Sequence, residues 1–360
     1  MKNKFSKLFS NFIFNLKIKD NIAILYHTDC DGVCSAAIIK KAIKYLTDKD
    51  VFAFCQKQGK IAITQNTIEL LKQKKINKFI SVDMALDQNA QTFRKIEDFA
   101  HCLIIDHHIK IFNLSSKKTI FIKSQDFERD IEPSKNPASK MCFDLSNFVI
   151  DNKEIIKDLK FISKIGISGD CAYDFWIKKG FLKNEEKEKI QKIDYIISSY
   201  FGATGNFDKI LDILQKETIE KKIDKYIIEN KEICKYYFCV QKEIEKLISK
   251  VNEKAFFTKD QSNNTKLIFY EIKSKYNIKS ILANKLSFEN YPGATIIVIK
   301  DGYFSARNQS FKISMNDLIK KSIKNISGAS GGGHIPAAGG FVPKNKIKEF
   351  RKNLAKFITN

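Results

Sequence analysis

The sequence predicts an α/β protein: an N-terminal domain built on a parallel sheet with helices on both faces, a helical connector, and a smaller α+β C-terminal domain. Three observations lead there. In the first half, short apolar runs alternate with stretches of helical period, the pattern of a parallel sheet whose faces are covered. Residues 152–255 lose the short runs and read as Lys- and Glu-rich helices such as KEKIQKIDYIISSYF, and from about residue 256 the alternation resumes. At 360 residues the chain also exceeds the size at which one core usually stops growing. The expected boundaries are 1–190, 191–255 and 256–360.

Residues 5–16, FSKLFSNFIFNL, place Phe5, Leu8, Phe9, Phe12 and Leu16 at helical spacing. Polar residues interrupt the run and no small-residue cleavage site follows, so it reads as an amphipathic packing helix and not as a signal or anchor. Strands are expected at 22–26, 51–55, 79–82 and 102–105, with helices at 33–46 and 64–74 between them. After the helical stretch, strands are expected at 267–272, 294–299 and 302–306, with a helix across 280–288. No internal repeat or low-complexity tract is visible.

The formal charge is +22, from 63 basic and 41 acidic residues. That balance predicts attraction to polyanions and a steep salt dependence with nucleic acid. Lysine supplies almost all of it. The abundance of Lys, Ile and Asn also fits a codon bias, and the charged helices of 152–255 also fit solvated helix faces. Arg94, Arg129, Arg307 and Arg351 are the only arginines, and Arg307 lies near a glycine-rich segment. The eight cysteines form no pair of C-x-x-C motifs and read as buried free thiols in a reducing cytoplasm. No stretch approaches the ~20 apolar residues of a membrane span, so a soluble cytoplasmic protein without membrane partners is expected.

Four of the five histidines fall in three short motifs: His27-Thr-Asp29-Cys-Asp31-Gly32, Asp106-His107-His108 and Gly331-Gly332-Gly333-His334. Imidazole with carboxylate is a ligand set of borderline divalent metals. In the first motif His27, Asp29 and Asp31 alternate directly after an apolar strand, and an extended backbone would turn all three to one side. Capping a helix needs one Asp, not a His with two. Asp83 and Asp106-His107-His108 also follow apolar strands, so the carboxyl ends of the sheet would gather them in one crevice. Asp170 follows KIGISG, where glycines permit a tight backbone path. Together the motifs make six ligands, enough for two ions sharing a carboxylate at ~3.5–4 Å, the arrangement that activates water against a phosphoryl group. His101 starts the strand that leads to Asp106 and would lie at its far end, a structural position.

The segment from Ser327 to Gly340 holds six of the fifteen glycines. Such a stretch lets backbone N–H groups approach an anion. His334 could donate to phosphate there, and Arg307 could add a forked pair of bonds. The second domain would then hold the substrate over the metals.

These residues resemble the DHH phosphoesterase superfamily. HTDCDG, the Asp83 segment, Asp106-His107-His108 and Gly169-Asp170 look like its four motifs, and SARN with GGGHIPAAGG looks like its DHH-associated C-terminal domain, over about 20–175 and 265–345. The nearest likeness is to RecJ-like exonucleases of compact, archaeal type. The resemblance implies two divalent ions, Mn²⁺ first with Mg²⁺ or Co²⁺ also fitting: His27, Asp29 and Asp83 around one, Asp31, Asp83, His107 and Asp170 around the other. It implies that Asp83 bridges, that His108 orients or stabilises the phosphate, and that Asp106 supports the histidines. Arg307, Asn308, Gly331, Gly332, Gly333 and His334 would bind substrate. The leading expectation is an exonuclease on single-stranded DNA or RNA. The alternative is an oligoribonuclease, cyclic dinucleotide or phosphoadenosine phosphatase of the same superfamily, and the third a non-catalytic replisome scaffold. Replication proteins are expected partners alongside nuclease activity. Residues 190–255 align with no family pattern.

Overall fold

The computed structural model describes residues 2–55, 63–216, 218–262 and 264–359. They form two compact units, Met1–Ser198 with Asn206–Cys234, and Ser199–Gly205 with Lys235–Asn360. Residues 191–255 are therefore shared between the two. Residues 206–234 fold back onto the first unit: Lys41 donates to Lys216 O at 2.7 Å, Gln215 donates to Ala37 O, and the Asp158 carboxylate accepts from Ile219 N.

In the first unit the amphipathic α1 (Lys2–Phe14) buries Phe9, Phe12 and Ile13. Next come β1 (Ile22–Tyr26), α2 (Cys30–Thr47), β2 (Phe52–Cys55), α3 (Gln65–Gln73), β3 (Lys78–Val82), α4 (Ala90–Glu97), β4 (His101–Asp106), β5 (Thr119–Lys123) and α5 (Ser124–Phe127). Helices α6 (Ala138–Val149), α7 (Lys153–Gly169), α8 (Tyr173–Lys178), α9 (Lys187–Thr204, whose residues from Ser199 on belong to the second unit), α10 (Asp208–Leu214) and α11 (Ile219–Ile223) follow. The strands make one parallel sheet in the order β2-β1-β3-β4-β5. IAILY is buried at every position, because a parallel strand is covered on both faces and so carries no polar alternation. On one face Leu25, Phe79, Ile104 and Phe121 pack with Ile68, Leu71, Phe93 and Ile96 of α3 and α4. Each such side chain contributes roughly 1.5–3 kcal/mol of burial.

This strand order leaves β1 beside β3, where successive crossovers run to opposite sides. A crevice opens there at the carboxyl ends of the strands. His27 follows β1, Asp83 follows β3, and β4 ends at Asp106.

The second unit contains most of α12 (Lys231–Ser249), then α13 (Val251–Lys254), β6 (Phe256–Lys259), β7 (Thr265–Glu271), α14 (Lys279–Lys285), β8 (Thr295–Lys300), β9 (Tyr303–Arg307), α15 (Met315–Ile323), β10 (Ser330–Gly333), β11 (Ala337–Phe341) and α16 (Ile347–Thr359). Its six-stranded sheet runs β10-β11-β9-β8-β7-β6, with β7 and β8 parallel and the other pairs antiparallel. Leu267, Phe269, Ile297 and Phe304 form its core with Met315, Ile319, Phe350 and Leu354 of α15 and α16. The helix expected across 280–288 ends its regular turns at Lys285 and continues as a π-helical turn, Leu286–Asn290.

Several expectations are refined or corrected. The tight backbone path expected at KIGISG is the last turns of α7, with Asp170 as its C-cap. Its glycines serve packing: a Cβ on Gly166 would stand 2.3 Å from Ser139 Oγ, and one on Gly169 2.7 Å from Cys30 Cβ. The glycine-rich segment is a hairpin, β10 with β11, two strands that were not among those expected. Cysteines 30, 34, 102 and 142 are buried and all eight are free thiols, yet Cys239 is exposed because it lies on the solvent side of α12.

Candidate metal centre

β1 delivers His27 at its end, and the chain enters α2 at once. Asp29 caps that helix, its carboxylate accepting from Gly32 N at 2.9 Å. Gly32 is required because a Cβ there would stand 2.3 Å from His27 O. Asp31 is consequently in the first helical turn and not in extended chain. This overturns the expectation that His27, Asp29 and Asp31 aim at one point. The potential ligands separate into neighbouring groups, His27·Asp29·Asp83 and Asp31·His107·Asp170, with ligand atoms in each group within 4.8 Å of one another.

Asp83 lies between them. It takes a left-handed backbone, φ 59°, unusual outside glycine and best tolerated by Asp and Asn, and its N–H donates to Ile105 O at 2.9 Å. Its Oδ2 is 3.5 Å from His27 Nδ1 and its Oδ1 is 3.2 Å from His107 Nε2. The same His107 Nε2 is 3.2 Å from Asp170 Oδ2, while His107 Nδ1 is 3.1 Å from Pro133 O. A carbonyl only accepts, so Nδ1 carries the hydrogen and Nε2 turns toward two carboxylates. Asp31 accepts from Ala138 N at 2.8 Å and Ser139 N at 3.0 Å, at the start of α6.

Burial pushes the Asp31 carboxyl well above its ordinary range, with Asp170 and Asp83 adding repulsion. Asp170 is pushed up to about 7 by burial, partly offset by His107. Burial disfavours charge on His107, but Asp170 and Asp83 outweigh it and raise that imidazole well above its usual value. Protons held by such a set of acids and imidazole would compete with any divalent cation that it binds. The donor set is carboxylate oxygen and imidazole nitrogen, with no thiolate, and fits divalent cations.

His108 is oriented from behind. Its Nδ1 is 2.7 Å from Asp106 Oδ1, which also accepts from His108 N. Asp106 is fully buried, which alone would raise it, yet Lys123 and His108 hold it well below the carboxylate range. Lys123, buried at the end of β5, bonds Asp106 Oδ2 and lies 3.2 Å from Asp87 Oδ1. Asp87 in turn accepts from Ile111 N and Phe112 N, fixing the chain after the histidines. Sequence reasoning missed Lys123 and Asp87. One clue was a lysine closing the apolar run TIFIK. It also missed Asp194, which accepts from Ser168 and Ser198 hydroxyls at 3.1 Å each and which burial pushes up to about 6. His101 is exposed at the start of β4, the end of the strand away from Asp106.

In the second unit the remaining sequence-predicted residues gather around one end of β9 and β10. Arg307 Nε donates to Asn284 Oδ1 at 2.6 Å. Asn308 is buried and its amide is engaged at both ends, donating to Thr295 Oγ1 at 3.0 Å and accepting from Ser310 N and Oγ, so it shapes the loop. His334 is buried on the β10–β11 turn, its N–H donating to Ala337 O at 2.7 Å. Gly331 and Gly333 are glycines for packing: a Cβ on Gly331 would stand 2.8 Å from Ile319 Cγ2, and one on Gly333 2.3 Å from Ala337 O. Around Gly332 there is room, its nearest neighbour being Asn316 Oδ1 at 3.4 Å.

A parallel sheet with carboxylates and imidazoles at its switch point, followed by a mixed-sheet unit with a glycine hairpin, defines a two-unit α/β protein with a candidate metal centre. Residues 21–167 match the DHH family N-terminal domain and residues 243–360 match the DHHA1 domain, which between them take in most of the chain. The chain belongs to the DHH superfamily, in the arrangement that joins a DHH to a DHHA1 domain. An uncharacterized protein of Plasmodium falciparum, MAL8P1.12, is 25% identical over 251 residues, 66% of this chain and 21% of that protein, so the chain spans about a fifth of this curated relative. Among solved structures, the PF0399 DHH domain, titled a member of the s1p family of ribosomal proteins, superposes with TM-score 0.72 and 15% identity, covering 99% of this chain and 89% of that one. RecJ from Thermus thermophilus in complex with Mn²⁺ gives 0.70 and 13%, covering 99% and 54%. CDC45 from Entamoeba histolytica gives 0.59 and 10%, covering 100% and 99%. No helix among the described residues is long and apolar enough to cross a membrane.

Proposed function

We propose that this protein is a phosphodiesterase that shortens single-stranded DNA or RNA from an end, using two divalent cations, Mn²⁺ foremost and Mg²⁺ or Co²⁺ as alternatives. The observation that carries this reading is His107 Nε2 set 3.2 Å from both Asp83 and Asp170, with Asp31 in the same group and His27 and Asp29 on the other side of Asp83. His27, Asp29 and Asp83 would hold one cation and Asp31, Asp83, His107 and Asp170 the other, Asp83 offering one oxygen to each. Bound cations lower the pKa of water and offset charge growing on a phosphoryl group. The protein's own groups do the rest. His108, with Nδ1 committed to Asp106 and Asp106 to Lys123, would offer its Nε2 to a phosphate oxygen. Arg307 and His334 bind further phosphates, with the backbone at Gly331, Gly332 and Gly333, while Asn308 holds their loop. Choice of a nucleic-acid strand rests on the charge of +22 and on the fold shared with RecJ.

The test is end-labelled single-stranded DNA and RNA incubated with the protein or its Asp83→Ala variant, in Mn²⁺ or in EDTA. Stepwise shortening by the unaltered protein in Mn²⁺, and at least roughly 10³-fold less by the variant, is expected, since several catalytic groups lose their common ligand. Full activity of the variant would refute the two-cation assignment. Long strands left intact while dinucleotides disappear would place the protein with the small-nucleotide phosphatases. The likeness to CDC45 favours a second reading, a replication scaffold and partner of replication proteins, for which strand binding without cleavage is the sign.

A further inference from the structure

Helix α9 lies between the two family-matched segments, 21–167 and 243–360, and it carries a carboxylate to the back of the metal centre. Asp194 Oδ2 accepts from Ser168 Oγ and its Oδ1 accepts from Ser198 Oγ, each at 3.1 Å. Ser198 is one turn further along the same helix, so that bond orients the carboxylate and ties nothing else. Ser168 is buried in the last turn of α7, two residues before Asp170. In that turn Gly166 O accepts from Asp170 N at 3.2 Å and Ser168 O accepts from Cys171 N at 2.9 Å. Cys171 takes φ 55°, a left-handed backbone that a residue other than glycine keeps only where its surroundings fix it. The same corner meets α2: Cys30, between Asp29 and Asp31, donates its thiol hydrogen to Ile165 O at 3.8 Å, and a Cβ on Gly169 would stand 2.7 Å from Cys30 Cβ. Burial raises the Asp194 carboxyl most, Ser198, Cys30 and Ser168 offset it, and Asp29 adds repulsion. No basic residue is among these groups. A carboxylate drawn from water with hydroxyls in place of a cation is a costly way to stabilise a fold, which directs attention to what it holds.

We propose that Asp194 is a positioning residue: through Ser168 it fixes the last turn of α7 and so sets Asp170 against Asp31 and His107, in one of the two ligand groups. This rests on the reading of the centre as a two-cation site. The other group, His27, Asp29 and Asp83, is delivered by β1, the start of α2 and β3, and none of these carries Ser168. Loss of the Asp194 bond therefore acts on one cation and spares the other.

The experiment titrates Mn²⁺ into the metal-free full chain by calorimetry and follows strand shortening alongside. The proteins are the unaltered chain, Asp194→Ala, Asp194→Asn, Ser168→Ala and Ser198→Ala, each checked for folding by its thermal midpoint. Two binding steps are expected for the unaltered chain. Asp194→Ala and Ser168→Ala are expected to weaken one step roughly 10- to 100-fold, the scale of a lost outer-shell partner, and to leave the other unchanged. Asp194→Asn keeps an oxygen that accepts from Ser168 and restores the weakened step. Ser198→Ala, whose bond stays within α9, leaves both steps as they are. Should Asp194→Ala fail to fold, Ser168→Ala removes a single hydroxyl and carries the same test. Unchanged affinity in both alanine variants, equal weakening of both steps, or an Asp194→Asn as weak as Asp194→Ala would each overturn the positioning role, the last by showing that charge acts in place of geometry. If the unaltered chain binds two cations but leaves strands intact, the proposed strand shortening falls and the role of Asp194 stands. If it binds no cation, both fall.

Discussion

Carboxylates that face one another out of water keep their protons until a cation replaces them, and this decides how the centre responds to pH. Asp170 sits at about 7 and Asp31 is raised well above the ordinary value of 3.8, both through burial first. The native state therefore holds protons that the unfolded chain has already released. The stability from these groups is complete below about pH 4 and is lost as pH rises through 7. His107 is raised as well, so its imidazolium also contributes at low pH and fades upward. Asp83 and Asp106, both lowered, stay ionised across this range and add no slope. If a divalent cation binds there as proposed, it takes the place of the lost protons, so the rise in thermal midpoint on adding Mn²⁺ is expected to be small at about pH 5.5 and roughly 5–10 °C at about pH 8 with saturating metal. A gain that is equal at both pH values would show that proton and metal do not compete at Asp31 and Asp170. The gathering of these candidate ligands was legible in the sequence because His, Asp and Gly cluster after apolar runs. Lys123 and Asp87 were not, because a contact between residues so far apart along the chain leaves no period to read.

Helix α7 shows what an element adds to the site. It carries Asp170 at its end and packs on α2 and α6, and a Cβ on Gly166 would press 2.3 Å from Ser139 Oγ and 2.9 Å from Asp31 Oδ1. Gly166→Ala is therefore expected to move α7 away from the ligands and weaken Mn²⁺ binding roughly 10- to 100-fold, the scale of a disturbed outer shell, although no ligand is replaced. Titration of the metal-free variant by calorimetry checks this, with circular dichroism confirming that it is folded. Unchanged affinity would mean that the helix interface yields without moving Asp31. The strands of the first sheet were readable because a fully covered parallel strand is a near-continuous apolar run. β10 and β11 were not readable as strands, since SGGG and AAGGF contain almost no β-formers. Their glycines are set by neighbours: a Cβ on Gly340 would meet Ser330 O at 2.1 Å. The start of α2 was likewise placed late at residue 33, because the capping role of Asp29 was absorbed into the ligand pattern.

At the scale of the whole molecule the open physical quantity is its charge. The fold class was legible because layer architecture follows from the alternation of elements, and the superposition of RecJ, the PF0399 domain and CDC45 on one fold shows why activity does not follow from architecture alone. The +22 has two sources that composition cannot separate, a surface shaped for a polyanion or a lysine-rich bias spread evenly over the chain. Salt separates them. A single strand that binds by displacing counterions loses affinity with a slope of about −0.7 per phosphate engaged on logarithmic axes. A site spanning about six phosphates would lose roughly 10²–10³ in affinity between about 50 and 200 mM salt. That steep loss is expected here, measured by fluorescence anisotropy of a labelled oligonucleotide in EDTA. A change below about threefold would correspond to one phosphate, and the lysines would then be solvated faces around a small-phosphoester site. The same titration on a dinucleotide supplies the contrast, because two phosphates or fewer cannot give a steep slope, so a difference between the two ligands counts the cations that line the path of the strand.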